Sequence, residues 1–119
     1  MRPTSDLAAV DLRDLDVVVG DLTDREAVRT ALSGVQRVLH LAHIRYTPQL
    51  LEAAPPALEH VVALSSLRLL STVPSPSVDE VARAEQEVRA FETPCTILRP
   101  SMIFGPDDRN INHLAIQLK

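Results

Sequence analysis

The chain has 119 residues, 45% of them hydrophobic and 24% charged, enough for one compact domain that buries a limited share of its surface. A net charge of -4 at pH 7, with Lys and Arg scattered along the chain, leaves no electrostatic footprint for nucleic acid or for an anionic membrane surface. Apolar runs such as Val61 to Leu64 are far shorter than the roughly 20 residues of a bilayer span, Met1 to Asp6 has no apolar core of a secretory signal, and lone Cys95 forms no internal disulfide, all of which predicts a cytoplasmic protein.

Asp16-Val17-Val18-Val19-Gly20 is a β-branched run closed by glycine and predicts a first strand. Thr23 with Glu26 reads as a capping box, Ala27, Val28, Ala31, Leu32 and Val35 trace one apolar stripe, and Gly34 sits where a left-handed helix cap belongs. Arg37 to Leu41 predicts a second strand, Pro48 to Ala54 a helix, and Pro55-Pro56 its stop. His60 to Leu64 predicts a third strand. Ser77 with Glu80 reads as a further capping box, followed by an amphipathic face of Val78, Val81, Ala82, Val88 and Phe91. Pro94 ends that helix, Cys95 to Leu98 predicts a fourth strand, and Asn112 to Lys119 predicts the opening of a last helix.

Short apolar strands alternating with helices specify an α/β fold: a partial, three-layer Rossmann-like domain over residues 1–119, with about four short parallel strands and right-handed crossovers. In such sheets ligands sit beyond the carboxyl ends of the strands. That draws attention to Gly20-Asp21-Leu22, Ala42-His43, Ser65-Ser66 and Arg99-Pro100-Ser101. Asp21 is suited to accept from an exocyclic amine such as that of adenine, and small Ala42 lets a flat group approach the backbone. The alternative is that Asp21 supports its own loop and the first turn of the next helix.

Gly20-Asp21-Leu22-Thr23-Asp24, Val38-Leu39-His40-Leu41-Ala42, Val62-Ala63-Leu64-Ser65-Ser66 and Thr96 to Pro106 resemble, in that order, successive blocks of the extended or atypical short-chain dehydrogenase/reductases, the NAD-dependent epimerase/dehydratase group. The resemblance implies a Rossmann-type fold, NAD or NADP as cofactor and a small or sugar-like substrate. It implies that Asp21 and Leu22 flank the adenine, that Leu41 and Ala42 line the ribose side, and that Ser65 and Ser66 lie near the nicotinamide. The stretch Arg99, Pro100 and Ser101 would close over the same region. Ser65 and Ser66 are the candidate catalytic serines. Asp108-Arg109-Asn110 resembles a feature of certain bacterial atypical members.

Two departures limit what carries over. The family opens with a Gly-x-x-Gly-x-x-Gly turn whose bare backbone approaches the pyrophosphate, whereas this chain has only Gly20, Gly34 and Gly105. Arg2 to Ser5 resembles the region after the family's second strand, so the chain reads as a fragment lacking the first βαβ unit and the following substrate region. Second, the family's Tyr-x-x-x-Lys pair, in which the lysine lowers the tyrosine's pKa for proton transfer, falls on Ser77 and Val81 when Glu85 is aligned with the family's helix glutamate. The resemblance therefore implies cofactor-binding ancestry with little or no catalysis by this chain.

His40, His43, His60 and His113 lack the spacing that fixes a metal site, a Gly-x-Ser-x-Gly elbow is absent, and Cys95 reads as a small buried hydrophobe, so neither metal nor hydrolase chemistry is expected. Asp6, Asp11, Asp14 and Asp16 read as a solvated acidic lead-in. Two functions remain: a remnant of a dinucleotide-dependent enzyme, or a non-catalytic sensing or assembly module binding dinucleotide weakly or only partner proteins. With two of the family's strands missing between them, the first and second strands either pair directly or leave an edge open to self-association. A detached first strand would mark poor independent stability.

Overall fold

Why the elements form where they do is visible at their ends. In the computed structural model, which describes residues 13–105 together with 108, 112, 113, 116 and 117, helix α1 (Arg25–Ala31) is capped by Asp24, whose carboxylate accepts from the backbone N–H groups of Glu26 and Ala27. The predicted Thr23 cap is thereby corrected: the Thr23 hydroxyl donates instead to Asp21 Oδ1 at 2.7 Å. Gly34 follows α1 at φ 74°, the left-handed position expected of it. Strand β1 (Arg37–His40) comes next, then a 3-10 turn (Ile44–Tyr46) leading into helix α2 (Thr47–Glu52), with Pro48 in its first turn.

Strand β2 (His60–Leu64) ends at a second 3-10 turn (Leu67–Leu70), and helix α3 (Pro76–Arg89) runs back toward strand β3 (Cys95–Leu98). The cap of helix α3 lies two residues before the predicted Ser77. Pro76 has its φ preset for the first helical position, so the cap falls on Ser75, which accepts from the Val78 N–H. Of the predicted last helix, Asn112, His113, Ile116 and Gln117 are described and helical.

The three strands form one parallel sheet in the order β1-β2-β3, with Val38 opposite Val61 and Val61 opposite Cys95. Parallel strands separated by helices are the α/β arrangement expected, with three strands where about four are predicted. The missing one is Asp16 to Gly20, which forms no strand. Its three valines are exposed and it pairs with none of the three strands of the sheet, so β-branched composition alone does not make it part of that sheet. The outer edge of β1 is accordingly unpaired among the described residues.

Strand alternation divides the sheet into two unlike faces. Val38, Val61, Ala63, Cys95 and Ile97 point into a core with Val28 of α1 and Leu32 at its C-cap, Leu50 and Leu51 of α2, and Val88 of α3. Val61 and Ala63 are fully buried, and truncating Val61 to alanine should cost about 2 kcal/mol. On the other face Leu39, Leu41 and Leu98 are 63%, 63% and 46% exposed, and none of them joins a hydrophobic cluster. Across that face His60 Nε2 lies 2.9 Å from Thr96 Oγ1.

One polar pair is buried beside the core. His40, at the end of β1, places Nδ1 2.9 Å from Oγ1 of the fully buried Thr47. This contact ties the strand to the start of α2. The second ring nitrogen, Nε2, is buried with no hydrogen-bond partner in the structure. Burial lowers the His40 pKa, because the charged ring would have to be held out of water. No helix is long and apolar enough to cross a membrane among the described residues.

Candidate functional site

The loop before α1 and the turn after β1 enclose a cavity of about 610 Å³. The loop reaches it because residue 20 is glycine: a Cβ at that position would lie 2.8 Å from Ala27 Cβ, so only a bare Cα allows such close approach to α1. Asp21 and Leu22 are delivered to the cavity wall from this side. Val28 and Ala31 of α1, Leu32 at its C-cap and Leu50 of α2 also line the cavity. Ala42, His43, Arg45 and Tyr46 line it from the turn after β1.

Of the residues predicted to surround a cofactor, Asp21, Leu22 and Ala42 therefore share one cavity. Leu41 does not line it, and projects from the end of β1 largely exposed. Asp21 takes up the loop-supporting role weighed for it, since its Oδ1 accepts from the Thr23 backbone N–H at 2.9 Å as well as from the hydroxyl, while its carbonyl accepts from Asp24 N–H. Arg45 and Tyr46 were not anticipated. The signal for them is their place just past a strand end, in a turn capped by His43, whose side chain accepts from the Arg45 N–H.

Ser65, Arg99, Pro100 and Ser101 form a separate group at the ends of β2 and β3. The Glu85 side chain, only 4% exposed on α3, lies at its centre. The Ser65 hydroxyl donates to Glu85 Oε1 at 2.6 Å, Arg99 Nε donates to the same oxygen at 2.8 Å, and Arg99 Nη2 donates to Oε2 at 2.5 Å. Arg89, one turn along the helix, adds a longer contact to Oε2 at 3.4 Å. Held chiefly by Arg99, and by Ser65 and Arg89 against the opposing effect of burial, the Glu85 pKa falls to about 2. Ser65 is thus oriented toward an ionised carboxylate that accepts its proton in a hydrogen bond. Ser66 caps the following 3-10 turn by accepting from Arg68 N–H. Pro100 accepts from Leu67 N–H, and Ser101 is exposed.

The positions aligned with the family's proton-transfer pair lie on α3. Ser77 is exposed in its first turn and Val81 is buried in the core. Cys95 is half-buried, and burial pushes its thiol pKa up, away from the reactive thiolate. Among the described residues no three His, Cys, Asp or Glu side chains gather in a metal-holding arrangement.

No family model matches the chain, and no curated protein matches it. Among solved structures it is similar to the crystal structure of gox2253, with 27% sequence identity and a TM-score of 0.69 over 94% of this chain. The match covers 45% of that chain, so the sequence spans less than half the length of its structural neighbour.

Proposed function

We propose that the chain is part of an NAD(P)-binding protein of the extended or atypical short-chain dehydrogenase type, keeping the adenine end of the dinucleotide site and having little or no catalytic activity of its own. The observation that carries this reading is the gathering of Asp21, Leu22 and Ala42, from two separate loops, around one cavity. Its volume of about 610 Å³ is within the range of small-molecule sites, and its lining is aliphatic at Ala27, Val28, Ala31, Leu32 and Leu50, which suits a flat heterocycle. The residues fit only that end of the cofactor. The chain carries no glycine-rich turn for a pyrophosphate, and Ser77 and Val81 supply neither the phenol nor the ammonium needed to move a proton.

Titration of NADH and NADPH into the purified chain, followed by nicotinamide fluorescence and calorimetry, tests the proposal. Binding in the millimolar range, worth about 4 kcal/mol, with competition by adenosine is the expected result. Micromolar binding would show a phosphate site beyond the residues named here, and lack of any competition would remove the adenine assignment. A second reading, a sensing or assembly module that binds partner proteins, is favoured by the exposed Leu39, Leu41 and Leu98 on one sheet face.

A further inference from the structure

The turn that lines the cavity is closed at its two ends by one buried contact. His40 and Thr47 stand seven positions apart, and their contact, Nδ1 to Oγ1 at 2.9 Å, brackets Ala42, His43, Arg45 and Tyr46, the residues that line the cavity from this side. Both partners are withdrawn from water, His40 being 5% exposed and Thr47 fully buried. Between them Ile44, also buried, packs with Val81 and Ala84 of α3 and anchors the middle of the turn. The lining therefore has a fixed centre and two ends that one histidine holds.

That histidine keeps its place as a neutral ring. A charged imidazole donates from both nitrogens, and Nε2 is buried without a protein acceptor, so a proton taken up there is poorly compensated. Burial is the cause that lowers the His40 pKa, with no charge of the surrounding elements contributing. Within the turn, Arg45 is engaged by Tyr46 and Glu80, and His43 accepts from the Arg45 N–H. Arg37 opens β1 beside Glu59, and the one charged residue of α2 is Glu52, exposed at its far end. On α3, Glu80 turns to Arg45 and Glu85 to Arg99 and Ser65, while His60 of β2 bonds to Thr96 on the other face of the sheet.

We propose that the His40–Thr47 contact is an acid-sensitive clasp: a proton from solvent on His40 drives the ring out of its buried site, releases Thr47, and lets Ala42, His43 and Tyr46 leave the cavity while Ile44 keeps the turn on α3. The cavity is then a formed site at neutral pH and a broken one in acid, with the sheet and helices intact. The clasp acts on the turn itself, so it operates whatever ligand the cavity takes. A bound ligand selects the clasped form and lowers the pH at which it opens.

Tyr46 is the only tyrosine and the chain has no tryptophan, so tyrosine fluorescence reports the turn alone. Followed from pH 8 to pH 4.5 on the full chain without ligand, it should pass through a one-proton transition centred below the 6.5 of an ordinary histidine, with far-ultraviolet circular dichroism unchanged across it. The ring-proton resonances of His40, followed by NMR, should titrate at the same midpoint. His40→Gln should abolish the transition. His43→Gln, which removes the exposed histidine of the same turn, should leave it in place, and Thr47→Val, which keeps the shape and removes the hydroxyl, should show part of the low-pH signal already at pH 8. A transition that persists in His40→Gln, disappears in His43→Gln or coincides with loss of the far-ultraviolet signal overturns the clasp, as does a flat Tyr46 signal. The NMR comparison needs no variant: if His40→Gln does not fold, a His40 midpoint that differs from the Tyr46 midpoint overturns the clasp by itself. With no nucleotide present, neither outcome bears on the adenine reading.

Discussion

Arg99 and Glu85 form a two-pronged pair, Nε to Oε1 and Nη2 to Oε2, that fastens the end of β3 to the middle of α3. Ser65 joins the same carboxylate from the end of β2, so one buried side chain holds two strand ends and a helix together. Glu85→Ala should lower stability by about 3 kcal/mol, because it strips two strand ends of a charged acceptor. Glu85→Gln, which keeps the shape and loses the charge, should cost about half as much. Urea unfolding followed by circular dichroism measures both.

Stability should also depend on pH in two windows. The His40 pKa is lowered by burial, so the unfolded chain takes up a proton that the folded chain resists. This contribution is intact at neutral pH and is lost progressively as pH falls below about 6.5, the ordinary value for histidine. Glu85 acts lower: its carboxyl is held at about 2 against an ordinary 4.5, so its stabilisation is present above 4.5 and lost as pH falls toward 2. Its full value is on the order of 3 kcal/mol. Urea midpoints measured from pH 8 to pH 3 should fall in two stages, and His40→Gln should remove the first.

Two glycine substitutions should both destabilise, for different reasons. Gly20→Ala places a Cβ 2.8 Å from Ala27 Cβ and pushes the loop off α1, at a cost of about 1–3 kcal/mol and with distortion of the cavity wall. Gly34→Ala meets nothing within 4 Å, but forces φ 74° on an alanine and should cost about 1 kcal/mol. Gly34→Asn, which tolerates the left-handed region, should recover part of that loss. Thermal melting of the three variants separates crowding from backbone strain.

The order of strands and helices from Arg37 onward could be read from the sequence because each element has its own signal: Pro55-Pro56 after α2, Pro94 before β3, and the continuous apolar run Val61 to Leu64 in β2. Local chemistry misled where two residues competed for one role. Thr23 and Ser77 look like caps, but Asp24 and Ser75 take those positions, the first by reaching two N–H groups and the second because Pro76 sets the helix start. The Asp16 to Gly20 valines have strand composition but pair with none of the three strands of the sheet, and pairing is a property of the whole sheet. Of the site, Asp21, Leu22 and Ala42 were legible from strand ends, while Arg45 and Tyr46 were not. Their position depends on a 3-10 turn that periodicity does not announce. Glu85, readable only as an aligned helix acid, becomes a hub through Ser65 and Arg99, which are distant in sequence.

Leu39→Thr with Leu98→Thr should leave stability within about 0.5 kcal/mol of the parent, since both side chains are largely exposed and threonine suits a strand. The same pair of changes should reduce self-association measured by light scattering if the sheet face is what drives it. A loss of several kcal/mol would mean that these leucines are covered in solution.

The half-uncovered sheet also has a calorimetric consequence. Leucines already in contact with water in the folded state add little newly hydrated apolar surface when the chain unfolds. The heat-capacity increment should consequently fall below the roughly 12–15 cal/mol/K per residue of ordinary globular domains. A small increment reduces the curvature of free energy against temperature and moves the temperature of maximum stability downward, so stability should keep rising on cooling from ambient temperature and cold unfolding should be postponed.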